Sequence, residues 1–173
     1  MPSRMRPIVG FLVLVGLIGG CSSASDVVDE TPDSPSTTVA ATDPDVPPQL
    51  ADVDLDQVIV GDRLLLLAIA DSPALRGRGL MGVTDLGDLD GMLFYWRHEA
   101  SGAFWMKDTL IPLDIVWFDE DGAFVGRASM VPCTTPTCPE YSPGGDVDYR
   151  YAIEANPGAL DWVDGSTAIV YED

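Results

Sequence analysis

From residue 55 onward the sequence is a succession of short apolar runs, each closed by turn-forming residues, and this rhythm limits the fold more than any other feature. Residues 58–60 and 64–70 flank Gly61-Asp62, a pair of turn residues between apolar runs that predicts a β-hairpin. Residues 92–96, 104–109, 113–118, 123–131, 149–154 and 167–171 are further short runs rich in β-branched or aromatic side chains, and Asp121-Gly122 joins two of them as a second hairpin. No run as long as about 12 residues carries helical periodicity. The pattern therefore predicts an all-β domain, mainly antiparallel, built as a compact β-sandwich or small barrel. One short helix is expected after Ser72, whose hydroxyl can accept a free amide of the first turn. Pro73 suits the first helical position, and Leu75, Leu80 and Met81 could line one side.

The chain ahead of this domain has a different composition. Arg4 and Arg6 precede an apolar run from Ile8 to Ile18 that falls short of the roughly 20 residues a spanning helix needs. Leu17-Ile18-Gly19-Gly20-Cys21 then resembles the lipobox of bacterial lipoproteins, which makes residues 1–20 a signal peptide and Cys21 the lipidated residue. Residues 21–54 read as a disordered acidic tether: from Ser22 on they hold eight acids, no Lys or Arg, and the pairs Thr31-Pro32, Ser34-Pro35, Asp43-Pro44 and Pro47-Pro48. As a random coil the tether would place the domain, residues 55–173, roughly 30 Å from its anchor. The expected location is extracytoplasmic, with the membrane as partner through the lipid. With Cys21 committed, Cys133 and Cys138 remain as an even pair suited to a disulfide. Closing so short a loop would remove about 2 kcal/mol of unfolded-chain entropy.

Charge excludes one class of partner. The 28 acids and 9 bases give a formal charge of −19, and Lys107 is the only lysine, so no basic surface is available for nucleic acid. Two motifs are decoys. Asp52, Asp54 and Asp56 fit the start of an EF-hand loop, but Gln57 stands where its glycine belongs and Arg63 where its glutamate does. Gly77-Arg78-Gly79-Leu80-Met81-Gly82 spells the dinucleotide fingerprint without the strand directly before it. His98, the lone histidine, has no serine in a nucleophile elbow to serve. No ligand spacing connects His98 with Met81, Met92 or Met106, so the sequence supports neither a metal site nor a cofactor.

Four ordered motifs carry a family resemblance: Arg76-x-x-Gly79-Leu80-Met81, Gly91-Met92-Leu93-Phe94, Phe104-Trp105-Met106-Lys107-Asp108-Thr109, and Ile111-Pro112-Leu113-Asp114-Ile115-Val116. With Asp121-Gly122, Tyr151-Ala152-Ile153-Glu154 and Gly158 behind them, the chain resembles the DUF192 family over residues 57–171. The resemblance implies a compact β domain, often exported, and brings no catalytic residue with it.

Candidate site residues come from the densest of these motifs. Alternation along 104–109 puts Trp105, Lys107 and Thr109 on one strand face and Phe104, Met106 and Asp108 on the other. A lone lysine there suits a carboxylate, phosphate or sugar acid, and equally a structural ion pair with Asp108 or Asp114. Asp114 lies in a strand apolar on both faces, so its carboxylate needs Lys107, an arginine or backbone amides; Arg76 on the short helix is a further partner. The ligand-binding candidates are thus Arg76, Trp105, Lys107, Asp108, Thr109 and Asp114, with no catalytic residue named. The domain reads as a binding or accessory module of the cell envelope rather than an enzyme, with a small molecule or an envelope protein as partner. The alternative is an envelope enzyme acting on a glycan or small metabolite through Lys107 and an Asp. A third option is protein docking near Tyr141 or Trp162.

Overall fold

Val60 lies opposite Arg63 across Gly61-Asp62, so strands β1 (Leu55–Val60) and β2 (Arg63–Ala70) form the expected hairpin. These are the first strands of a computed structural model that describes residues 43–172; the expected signal peptide, Cys21 and most of the expected tether lie outside the described residues. After β2 the chain leaves the sheet. Ser72 Oγ accepts the amide of Leu75 at 3.3 Å and Pro73 opens helix α1 (Pro73–Arg78), as its cap residues predict. Gly79, with φ of 50°, ends it in a conformation L side chains avoid, and a Cβ there would sit 3.3 Å from the Phe94 ring.

Residues 71–90 are long enough to carry the chain back over the sheet, and strand β3 (Gly91–Ala100) returns parallel to β2, Leu67 facing Gly91. The helix between two apolar runs makes a crossover, so this one pair is parallel and the sheet is mixed, while its other pairs are antiparallel as expected. The remaining strands are β4 (Phe104–Trp105), β5 (Leu113–Phe118), β6 (Phe124–Met130), β7 (Glu140–Tyr141), β8 (Tyr149–Ala155) and β9 (Ile169–Val170). Of the nine strands in the described residues, seven order as β6-β5-β8-β3-β2-β1-β9, while β4 and β7 pair separately. In place of a sandwich of two facing sheets there is one sheet curled into a half-barrel. Its edges meet at one end, where Ala123 and Ala168 form a bridge and Ile169 N donates to Gly122 O at 2.9 Å.

The curl gives the sheet two apolar faces. On one, Val58, Val60 and Ile169 from the β1–β9 edge cluster with Val116 and Phe118 from β5, sealed by Leu160 and Val163. On the other, Met92, Phe94, Ile115, Trp117 and Ala152 lie beneath Leu80, Leu86, Phe104 and Met106. Leu50 and Val53, just after a single 3-10 turn (Pro48–Leu50) begins, are buried in this second cluster. The packed domain therefore starts ahead of residue 55, because these two apolar side chains cover sheet surface that the acidic residues around them cannot.

Gly91 marks the tightest point of the sheet. A Cβ built there would meet Glu154 O on β8 at 2.1 Å, and backbone, unlike a side-chain tip, cannot swing away. Gly91→Ala is expected to lower the unfolding free energy by about 3 kcal/mol, the upper range for overpacking, as measured by urea denaturation.

Candidate functional site

Strand β8 lies between β3 and β5, and its register sets Glu154 opposite Met92 on one side and Ile115 on the other. Its side chain enters the second apolar face at only 5% exposure. No hydrogen bond or ion pair joins the carboxyl to any of the described residues. Burial without a compensating partner penalises the charged form, and the Glu154 carboxyl is pushed up to about 8. At neutral pH it is mostly a neutral acid that can donate a hydrogen bond.

Above Glu154 the coverings of the sheet leave a cavity of about 370 Å³ between α1, the turn at Gly79–Met81, β3, β4 and the segment that follows β4. Its walls are aromatic. Phe94 and Phe104 meet edge to face with centroids 5.1 Å apart, and Trp96 and Tyr149 do so at 5.3 Å. Three cations line it: Arg76, Arg78 and Lys107. Arg78 is engaged by Asp52 through both Nη atoms at 3.0 Å, and Lys107 Nζ by Asp108 at 2.8 Å. Arg76 differs. Its Nη1 donates to the carbonyls of Asp71 and Tyr95, its guanidinium lies 5.0 Å from the Trp96 ring, and no carboxylate forms an ion pair with it among the described residues. Burial lowers its proton affinity and the charge of Asp71 opposes that, yet a guanidinium stays charged at any physiological pH.

The rim at Lys107 is held from two sides. Strand pairing ends at Trp105; Lys107 and Thr109 each bridge to Cys133, Asp108 N donates to Cys133 O at 2.8 Å, and Asp108 O accepts Gly82 N at 2.9 Å. Asp108 takes φ of 54°, so the alternation expected through residue 109 breaks at that residue. Trp105 is therefore 53% exposed while Thr109 is buried, although both line the cavity with Lys107. Cys133 and Cys138 form the expected disulfide.

The structure thus brings Arg76, Trp105, Lys107 and Thr109 around one cavity, with Asp108 as the ion-pair partner of Lys107 outside it. Asp114 is elsewhere. It projects from the opposite face of β5, where its oxygens accept Ser129 Oγ and Gly158 N, each at 2.7 Å. It meets neither Lys107 nor Arg76, and its backbone-amide partner is one of the alternatives its buried strand required. The proposed docking aromatics are engaged within the domain: Tyr141 OH accepts Val131 N, and the Trp162 ring lies 4.3 Å from the Arg63 guanidinium. Glu154 is the site residue that the sequence motifs do not single out; an acid inside the apolar run Ile153-Glu154-Ala155 is the signal available for it.

A sequence profile of the DUF192 family, described as an uncharacterized ACR, matches residues 57–164. No curated protein matches the chain. A protein of unknown function from Novosphingobium aromaticivorans DSM 12444 has a similar crystal structure, with 26% identity and a TM-score of 0.61 over 76% of this chain and 94% of that one. A Sinorhizobium meliloti 1021 protein, whose name proposes transcription regulation, shares the fold at 23% identity and a TM-score of 0.56, over 68% and 95% of the two chains.

Two measurements follow from the geometry. Between the ordinary carboxyl range and about 8 the folded state holds a proton on Glu154 that the unfolded chain has released, so stability falls as pH rises through that window. In Glu154→Gln this contribution to the fall between pH 5 and 9 should vanish, raising the melting temperature above the parent's at pH 9; parallel pH profiles would contradict the assignment. Replacing Cys133 and Cys138 with Ser should speed amide exchange at Asp108 and in the 133–138 loop while leaving exchange in β3, β5 and β8 unchanged.

Proposed function

The chain belongs to the DUF192 family, and from that premise we propose that it is a lipid-anchored extracytoplasmic binding module that holds a small molecule in the cavity beneath α1. The observation that carries this reading is a buried, unpartnered carboxyl facing a cavity whose rim is lined by cations. Such a group costs stability unless something is gained from it, and strongly perturbed acids in clefts are enriched at functional sites. Arg76, Trp105, Lys107 and Thr109 are the residues assigned to ligand contact, with Asp108 positioning Lys107. The lipobox-like sequence at Cys21, the acidic tether and the disulfide support the extracytoplasmic assignment. Asp114 is left out of the site.

A second reading, an envelope enzyme acting on a glycan or small metabolite, gains from one observation. Glu154 is the group suited to be its general acid, since it keeps its proton at neutral pH.

Binding stabilises the folded state by mass action, about 2.7 kcal/mol at a hundredfold excess over Kd. Thermal unfolding of the full chain is therefore to be followed against sugars, carboxylates, phosphates and metal ions. A shift lost in both Arg76→Ala and Lys107→Ala, with the variants still folded, is the expected result. If no class of compound moves the transition, the binding reading fails and a protein-docking module replaces it. Turnover of a bound compound that Glu154→Gln abolishes while still binding it would establish the enzyme reading instead.

A further inference from the structure

We propose, resting on the binding reading above, that the cavity takes a ring carboxylate: a flat ring with a carboxylate at the rim, received by Arg76, and an oxygen acceptor at the inner end, to which Glu154 donates.

Charge distribution selects the sign of the ligand. Residues 55–173 hold 20 acids and 7 bases, yet among the described residues three of the bases line the cavity and Glu154 is the only acid that does. The lining is therefore richer in cations than the domain as a whole. Of the three cations, Arg78 and Lys107 are neutralised by Asp52 and Asp108. The Nη1 atom of Arg76 makes both of that residue's hydrogen bonds, so its Nε and Nη2 atoms form a free edge with two parallel donors. That spacing matches the two oxygens of a planar carboxylate. The guanidinium is also held in place before any ligand arrives, by two carbonyls and the Trp96 ring, which limits the entropy lost on binding.

The walls select the body of the ligand. Phe94, Phe104 and Tyr149 offer ring edges and faces to a flat molecule. Trp96 already stacks with Arg76, so its face is taken and cannot join an aromatic cage for an ammonium ion. Glu154 selects the inner end: deep in the cavity and without a partner, its neutral carboxyl donates to a carbonyl, ether or hydroxyl oxygen. The other titratable groups lining the cavity are Arg76, Arg78, Lys107 and Tyr149, and burial pushes the phenol of Tyr149 upward, so at pH 7 Glu154 is the neutral acid in reach of a ligand.

The proposal is tested by isothermal titration of the full chain at pH 7 with five probes: 4-acetylbenzoate, benzoate, 4-acetylbenzamide, phenyl phosphate and benzyltrimethylammonium. The expected result is that 4-acetylbenzoate binds most tightly and that its uncharged amide binds about tenfold more weakly or worse. Arg76→Lys, which keeps the charge and loses the fork, should weaken 4-acetylbenzoate by about tenfold. Glu154→Gln retains a donor and should stay within about threefold of the parent, whereas Glu154→Leu should lose about tenfold for 4-acetylbenzoate and little for benzoate. Circular dichroism and melting of each variant confirm that it is folded. Preference for the phosphate or the ammonium compound, or equal binding of the amide, overturns the ligand class and leaves the binding reading standing. Silence from all five probes also overturns the ligand class, and the wider thermal panel then decides whether the cavity binds anything.

Discussion

A carboxyl group fixed in the middle of a sheet has few ways to be tolerated, and the rest of the site follows from how this one is accommodated. Strand β8 is hydrogen-bonded on both sides, so Glu154 cannot turn outward without breaking its register with Met92 and Ile115. It is buried and no cation pairs with it among the described residues, so burial pushes its proton affinity up and it carries its proton at neutral pH. The space above it is the cavity, and the elements that cover the rest of that sheet face stop at its rim. A larger hydrophobic residue at this position would pack against the same neighbours without the cost of burying a polar group.

Asp114 provides the comparison within the same molecule. Both acids are buried, both lie in central strands, and they point from opposite faces of one sheet. Asp114 has its two oxygens satisfied by Ser129 and by the amide of Gly158, which fastens the turn after β8 to β5. Glu154 has neither kind of partner. A satisfied buried carboxylate is a structural clamp; an unsatisfied one bordering a cavity is open to a further molecule.

Most of the strands could be read from the sequence, since a strand buried on one or both faces announces itself in apolar runs between turn residues. The Ser72-Pro73 helix start was equally legible, because capping depends on neighbouring residues alone. What the sequence did not reveal was long-range. The parallel pairing of β2 with β3 depends on where the chain goes after α1, and the isolation of β4 from the main sheet depends on its partner β7 far along the chain. The same division holds for the site. Lys107, Thr109 and Trp105 stood out within one motif, while Asp114 was grouped with them by sequence proximity although the sheet separates them. Glu154 lies 47 positions beyond Lys107, and only the pairing of β8 with β3 brings it under Arg76 and Phe94.

The strand order also limits when this sheet can close. β1, β2 and β3 can assemble from local pieces and a crossover, and β5 and β6 make a hairpin, but in the finished sheet no strand of one part pairs with a strand of the other. The strand that joins them, β8, is the last long one to be synthesised. Until it arrives, the facing edges of β3 and β5 are unpaired and the two fragments share no hydrogen bonds. The half-barrel is therefore completed by insertion rather than by growth at an edge, with most of its tertiary contacts spanning distant parts of the chain. A sheet built this way cannot close until β8 has been made.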